Sequence, residues 1–152
     1  MVAAYPWQKA AQAVTDAEVR FAAVAAAVAD VDGMEASRME LDRPGPSYMA
    51  DTLAALGAAR PNTDLVLIVG TDVAASLHTW ERPEEVASRA DLAVVNRPGV
   101  DRPALGPMWR RHEIEIPPLD ISSTDLRARL ASGRPVNFLI PRASVVFFRP
   151  DR

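Results

Sequence analysis

The stretch "DLVLIVG" (residues 64–70) is the clearest strand in this 152-residue chain. It is a continuous apolar run that ends in a glycine, which is typical of a strand buried on both faces of a sheet. A second apolar stretch, "DLAVVNRPG" (91–99), ends in a turn. Segments with helical spacing lie between and around these strands. This alternation predicts the α/β class, with a parallel sheet that helices cover on both faces.

The remaining elements follow from apolar spacing and from the residues at segment ends. A capping box over Thr15–Glu18 precedes the first helix. Weaker alternation predicts strands over 34–41 and 112–117. The predicted helices span residues 16–31, 48–59 (capped by Ser47), 71–78, 83–90 (Pro83 in its first turn) and 123–133 (ended by Gly133), and a last element at 141–148 is a helix or a strand.

Composition excludes several classes of protein. The net charge is −3, from 17 basic and 20 acidic residues, so neither nucleic acid nor an anionic membrane is an expected partner. The chain has no cysteine, which excludes disulfides, cysteine–zinc sites and a thiol nucleophile and favours the cytoplasm. Its two histidines, His78 and His112, lie far apart, so no metal site is predicted. We expect residues 1–152 to form a single domain.

Ligands of parallel sheets bind beyond the carboxyl ends of the strands. Three stretches fall there: Gly70–Asp72, Asn96–Arg97 and Ser122–Arg127. The last, "ISSTDLR" (121–127), offers hydroxyl and backbone N–H groups at a helix start, where phosphate binds well. Arg127 lies one turn in and reaches the same anion. The alternative is plain helix capping beside a solvated arginine, which the spacing alone favours.

Other candidate residues allow two interpretations each. Asp72 either binds a ribose hydroxyl or caps the helix that it begins. Trp80 is either a core side chain or a stacking surface for a ligand ring. Lys9, beside Trp7, either meets a phosphate or is an ordinary exposed lysine.

Five stretches together resemble one family. They are "YPWQKA", "RPGPSYMADTL", "LVLIVGTDVAASLHTWERPEEV", "ADLAVVNRPG" and "ISSTDLRARLASGRPVNFLIP", in this order and over nearly the whole chain. The set is similar to the bacterial nicotinate-nucleotide adenylyltransferases, which have a Rossmann-like nucleotidyltransferase fold. "ISSTDLR" alone is shared more widely among nucleotidyltransferases of this fold, whereas "GTD", the later tryptophan and "NRPG" make the resemblance specific.

The resemblance implies transfer of AMP from ATP to nicotinate mononucleotide, with Mg²⁺ and without a covalent enzyme intermediate. The products are nicotinate adenine dinucleotide and pyrophosphate, in NAD biosynthesis. The implied ATP-binding residues are Gly70, Asp72, Arg97, Ser122, Ser123, Thr124 and Arg127, and Ser123, Thr124 and Arg127 also make the catalytic contacts. The implied nicotinate mononucleotide-binding residues are Lys9, Ser47, Tyr48, Met49 and Trp80, with Trp80 stacked on the pyridine ring.

The sequence departs from the family pattern in two ways. Members of this family begin with a strand, a glycine-rich turn and a helix carrying "GGTFDP" and "HxGH", and residues 1–152 contain neither motif. About 30–45 residues, roughly one βαβ unit, would carry them. The histidines of that segment are the groups expected to stabilise the transferring phosphate. In addition, Met49 stands where the family usually has threonine, so only its backbone N–H can replace the hydroxyl contact.

We therefore expect Met1 to be internal to a longer reading frame. A fragment that keeps nucleotide binding without catalysis, and a second chain that supplies the unit, are the alternatives. A sibling nucleotidyltransferase with another acceptor is also open. Because the first strand of such a fold lies in the middle of its sheet, we expect residues 1–152 alone to be poorly soluble or oligomeric and to lack turnover.

Overall fold

The computed structural model describes residues 15–117 and 121–148, which belong to two compact units. The sheet unit is residues 48–120, and the helical unit combines the chain before residue 48 with the chain after residue 120. The elements in chain order are α1 (Ala17–Val28), α2 (Met49–Ala59), β1 (Val66–Gly70), α3 (Thr71–Ala74), a 3₁₀ turn (Leu77–Thr79), α4 (Pro83–Arg89), β2 (Asp91–Val95), β3 (Arg111–Ile114), α5 (Ser123–Ala131), α6 (Arg142–Val145) and a 3₁₀ turn (Val146–Phe148).

The sheet unit contains a parallel sheet with the strand order β1-β2-β3 among the residues described. Gly70 is paired with Val95, and Val95 with Ile114, so the three strands end at the same edge. Leu77, Val86 and Leu92 are among the side chains that are almost fully buried in the core of this unit. The predicted parallel α/β sheet is confirmed.

Burial of β1 differs from the prediction. Val69 is buried, but Val66 is 54% exposed and Ile68 is 72% exposed. β3 is exposed along its whole length. Successive residues of a strand point to opposite faces of the sheet. Within the described part of the chain, β1 is therefore covered on one of its two faces and exposed on the other.

The helical unit pairs α1 with the last helix. The hydroxyl of Ser144 in α6 donates to the carbonyl of Ala23 in α1 at 2.9 Å, and both residues are buried. The segment at 141–148 is therefore helical rather than a strand. α1 itself begins after Asp16, whose carboxylate accepts from the backbone N–H of Glu18 and Val19. Thus Asp16, and not Thr15 of the predicted capping box, is the residue that caps the helix.

The strand predicted over 34–41 is wrong. These residues form a loop and a turn, in which the Asp42 N–H donates to the Arg38 carbonyl at 3.0 Å. The Arg38 guanidinium donates to both carboxylate oxygens of Glu18, at 2.8 Å each, and lies 4.9 Å from the centre of the Phe21 ring. Arg38 therefore contacts α1, and the segment does not pair as a strand.

The predicted cap of α2 is also wrong. The residue before α2 is Tyr48, and no side chain caps the helix start. The Ser47 hydroxyl oxygen is buried and has no hydrogen-bond partner among the described residues. The turn over 43–46 is present and contains Gly45 at φ +86°, a conformation that favours glycine.

Asp91, at the start of β2, makes the stability of the sheet unit depend on pH. The Arg110 guanidinium, and then the His112 imidazole, hydrogen-bond its carboxylate and hold its pKa below the ordinary value of 3.8. A lowered pKa adds stability above the ordinary value, and this stability is lost as the pH falls through the folded-state pKa. We expect Asp91→Asn to reduce the acid sensitivity of urea unfolding below pH 3.8.

The control is Asp64→Asn, which removes an aspartate of the same unit with no ion pair among the described residues. This variant should keep the acid sensitivity of the unchanged protein. If Asp91→Asn and Asp64→Asn lose stability equally on acidification, the assigned role of Asp91 is wrong.

Candidate functional site

The carboxyl ends of β1 and β2 bring three predicted site residues together. Gly70 ends β1 and is paired with Val95, so Asp72 and Arg97 follow neighbouring strands. Arg97 Nη1 donates to Asp72 Oδ2 at 2.8 Å. The two side chains are 53% and 41% exposed, so a ligand can reach both partners of this ion pair.

Gly70 is required by a close approach within the chain itself. A Cβ atom at this position would lie 2.6 Å from Asp72 Oδ1. The backbone of Gly70 has φ −76°, which any residue adopts. The reason for glycine here is therefore the room that the Asp72 carboxylate needs, in addition to the predicted room for a ligand.

Gly70→Ala tests this approach. We expect the added methyl group to displace the Asp72 carboxylate from Arg97, and the loss of this half-exposed ion pair to lower the free energy of unfolding by up to about 1 kcal/mol. Gly57→Ala in α2 is the matched control, because nothing lies within 4 Å of a Cβ there. This control should instead stabilise the protein by about 0.5–1 kcal/mol in urea denaturation. Stabilisation by both substitutions would contradict the proposed crowding.

Asn96 links the end of β2 to the chain after β3. Its side-chain NH₂ donates to the Ile116 carbonyl at 3.2 Å, and its side-chain oxygen accepts from the Ile116 N–H at 2.8 Å. The side-chain amide thereby takes the place of a neighbouring backbone and continues the hydrogen-bond ladder of the sheet beyond Val95 and Ile114. The sequence singled out Asn96 only by its place after a strand. Its contact fixes the backbone next to Arg97.

Thr71 is a residue that the sequence reasoning missed. It lies between Gly70 and Asp72, is 1% exposed, and its hydroxyl has no hydrogen-bond partner among the described residues. The indole N–H of Trp80 is likewise buried without a partner in that part of the chain. Unpaired buried polar atoms are costly, so each of these two groups is one that a bound ligand or an ordered water would satisfy. Asp72 does not cap α3, because the cap residue is Gly70 and no side chain bonds the helix start. A threonine at the start of a helix gives no sequence signal for a buried hydroxyl without a partner.

Trp80 and Met49 contact the same core. Both are partly buried and pack against the hydrophobic cluster of the sheet unit. The core interpretation of Trp80 is therefore supported, and its role in stacking stays a prediction. Tyr48 and Met49 lie at the start of α2. Lys9 lies outside the described residues.

At the start of α5, one side chain caps the helix and other side chains remain available to a ligand. The Ser122 hydroxyl accepts from the Asp125 N–H at 3.1 Å, so capping is confirmed for Ser122. Ser123 and Thr124 are exposed, and their hydroxyls make no hydrogen bond within the described residues. Arg127 is exposed and forms no ion pair within the same residues. A helix start with an unpaired arginine one turn away can bind an anion.

The described residues contain no group of three or more His, Cys, Asp or Glu side chains that could hold a metal ion. Asp72 is the carboxylate at the strand ends. In the same described ranges, no helix is long and apolar enough to cross a membrane.

Comparisons with known proteins first define the class of protein to which this chain belongs. The cytidylyltransferase-like family model matches residues 1–129. Two solved structures of the Plasmodium falciparum nicotinic acid mononucleotide adenylyltransferase, one complexed with NaAD and one with APC, share the fold. Their TM-scores are 0.67 and 0.64 at 16% and 14% identity, over 90% and 88% of this chain and 73% of each of those chains. The chain thus belongs to the cytidylyltransferase-like family and has the Rossmann-like nucleotidyltransferase fold.

Curated relatives give the family. A probable nicotinate-nucleotide adenylyltransferase of Streptomyces coelicolor is 42% identical over 137 residues, which cover 90% of this chain and 73% of that protein. Probable nicotinate-nucleotide adenylyltransferases of an Arthrobacter species and of Corynebacterium kroppenstedtii are 39% and 36% identical, over 93% and 97% of this chain and 69% and 71% of theirs. The chain belongs to the nicotinate-nucleotide adenylyltransferase family of enzymes.

Proposed function

We propose that this protein transfers the AMP part of ATP to nicotinate mononucleotide, releasing pyrophosphate, in the synthesis of NAD. Family membership supports the reaction. The structural observation that carries it is the start of α5. There, the side chains of Ser123, Thr124 and Arg127 are exposed and make no hydrogen bond or ion pair with the described residues. A reaction between two phosphate-bearing substrates requires such a site.

The start of α5 binds the ATP phosphates in this proposal. The first N–H groups of a helix have no partner within the helix and carry a partial positive charge. The hydroxyls of Ser123 and Thr124 add donors, and Arg127 adds a guanidinium that can hold two phosphate oxygens at once. Ser122 contributes its backbone, because its hydroxyl caps the helix.

The strand ends of the sheet unit contact the adenosine part of ATP. Asp72 offers carboxylate oxygens to a ribose hydroxyl, and Arg97 holds this carboxylate in place at 2.8 Å. Gly70 leaves room beside the strand end for the Asp72 carboxylate. We infer that ATP arrives as its magnesium complex, as the family resemblance implies.

The nicotinate mononucleotide contacts are assigned by family resemblance. Trp80 stacks on the pyridine ring. Ser47, Tyr48 and the Met49 backbone flank the nicotinate carboxylate, and Lys9 approaches the phosphate. The buried hydroxyl of Ser47 has no partner among the described residues, which leaves it a donor for a bound carboxylate.

The chemistry needs no covalent enzyme intermediate. A phosphate oxygen of nicotinate mononucleotide attacks the α-phosphorus of ATP, the bond from this phosphorus to the β-phosphate bridging oxygen breaks, and pyrophosphate leaves. Positioning and neutralisation of charge supply most of the catalysis in such transfers. In this proposal, Arg127, Ser123 and Thr124 carry that neutralisation within residues 1–152. We place the reaction in the cytoplasm, with no nucleic-acid or membrane partner, on the cysteine-free composition and the net charge of −3.

Two measurements test this function. Isothermal titration with MgATP and with nicotinate mononucleotide should show binding of both to residues 1–152. Product analysis by chromatography should show nicotinate adenine dinucleotide and pyrophosphate in equal amounts. Binding without product would favour a non-catalytic nucleotide-binding protein, the second candidate, which the lack of "HxGH" in residues 1–152 favours. Product from another acceptor only would identify a sibling transferase.

A further inference from the structure

Asp125 is an obstacle to the proposed phosphate site. It is the third residue of α5 and lies in the first helical turn. A carboxylate at this position repels a phosphate at the helix start. It also competes for the free N–H groups, since an acidic residue three positions after the cap can accept from the N–H of the cap residue.

The structure shows where the Asp125 carboxylate goes instead. Asp125 Oδ2 accepts from Arg129 Nε at 2.6 Å, one turn further along the helix. Asp125 Oδ1 lies 3.9 Å from Arg134 Nη2. Only half of a capping box forms: the Ser122 hydroxyl accepts from the Asp125 N–H, while the Asp125 carboxylate accepts from Arg129 on its C-terminal side.

The end of α5 is shaped to bring Arg134 back. Gly133 adopts φ +68°, which favours glycine. The Gly133 N–H donates to the Leu130 carbonyl at 3.2 Å, and the Arg134 N–H donates to the Arg129 carbonyl at 2.8 Å. These are the two bonds of a Schellman motif. The motif reverses the chain and returns the Arg134 side chain toward the helix that it follows.

We propose that Arg129 is a positioning residue that holds the Asp125 carboxylate away from the start of α5, with the charge of Arg134 nearby, and so keeps the N–H groups of the helix start open to the ATP phosphates. The inference rests on the proposed function, because it assigns a supporting role at the same phosphate site. Arg127 contacts the phosphates in that function, whereas Arg129 acts only through Asp125.

A double-mutant cycle tests the inference, with MgATP affinity measured by isothermal titration at low ionic strength. We expect Arg129→Ala to weaken binding about fivefold, because the freed carboxylate then faces the phosphates at short range. Asp125→Asn alone should change the affinity less than about twofold, since its charge is already held away. Asp125→Asn combined with Arg129→Ala should restore binding to within about twofold of the unchanged protein.

A general charge effect gives a different pattern. Suppose that Arg129 acted only through net charge. Asp125→Asn would then tighten ATP binding as much as Arg129→Ala weakens it, and that result would overturn the proposal. Unchanged affinity in Arg129→Ala would also overturn it. Arg129→Lys should retain most of the binding. Arg110→Ala, which removes a 67% exposed arginine of the sheet unit, should have no effect on ATP affinity.

A second readout does not depend on ATP. In Arg129→Ala the freed carboxylate can accept from the Ser122 N–H, so hydrogen exchange of this amide should slow, and the added Asp125→Asn should reverse the slowing. Unchanged exchange at Ser122 would overturn the positioning role. If the unchanged protein fails to bind ATP while the exchange result holds, the proposed function fails and the contact assignment stands.

Discussion

Arg127→Ala is expected to raise the Kd for MgATP tens of times or more. A charge-assisted hydrogen bond to an ionised group contributes about 1.5–3 kcal/mol, and Arg127 forms no ion pair among the described residues that would divert it from a ligand. The side chain is exposed, so the melting temperature should not change by more than about 2 °C. Isothermal titration and thermal unfolding of the same preparations measure both effects.

Two companion variants make this result specific. Arg127→Lys keeps the charge but loses the two-pronged geometry, so it should recover only part of the ATP affinity. Arg142→Ala removes another exposed arginine of the helical unit that has no ion pair within the described residues. It should leave ATP binding unchanged. An equal loss in Arg127→Ala and Arg142→Ala would reduce the effect to net charge and contradict the role of Arg127.

Trp80→Ala should weaken nicotinate mononucleotide binding far more than ATP binding. Stacking of an aromatic side chain on a planar ring is worth about 1–3 kcal/mol, so we expect a rise in Kd of fivefold to a hundredfold for the mononucleotide and less than twofold for ATP. Because Trp80 also packs against the core of the sheet unit, the substitution should lower the free energy of unfolding by about 2 kcal/mol. Titration and urea unfolding separate the two effects.

Trp80→Phe separates stacking from packing. It keeps an aromatic ring over the core and removes the indole N–H, which is buried without a partner among the described residues. We expect near-normal stability and a mononucleotide affinity much closer to that of the unchanged protein. Equal losses of both ligands in Trp80→Ala would count against a stacking role, and loss of stability without loss of affinity would leave Trp80 a core residue only.

The elements that the sequence predicted correctly are those whose position is determined mainly by one local requirement of the backbone. The apolar runs before Gly70 and Val95 predicted two parallel strands, and both are present. Pro83 marked the first residue of α4, and Gly133 lies just past the end of α5 with φ +68°. Such positions depend on backbone geometry within a few residues, so a short window of sequence contains the information.

The failures involve partners that are distant in sequence. Residues 34–41 alternate like a strand, but Arg38 pairs with Glu18 of α1 and the segment turns. Ile68 belongs to a fully apolar run and is nevertheless 72% exposed. Ser47 and Thr15 have the right chemistry for caps, yet neither caps a helix. In each case another residue, or the position of the strand in the sheet, decided the outcome.

Sequence by itself determined the α/β alternation, the family and the stretches that can meet a nucleotide, because these depend on hydrophobic period and on residue types in a fixed order. Tertiary structure alone decided which polar groups remain available at those stretches. It paired Arg97 with Asp72, used the Ser122 hydroxyl as a cap, and held Asp125 with Arg129 while leaving Arg127 unpaired among the described residues. The physical reason is that hydrogen bonds and ion pairs act over a few ångströms in space, and only the folded chain determines which side chains come within that distance.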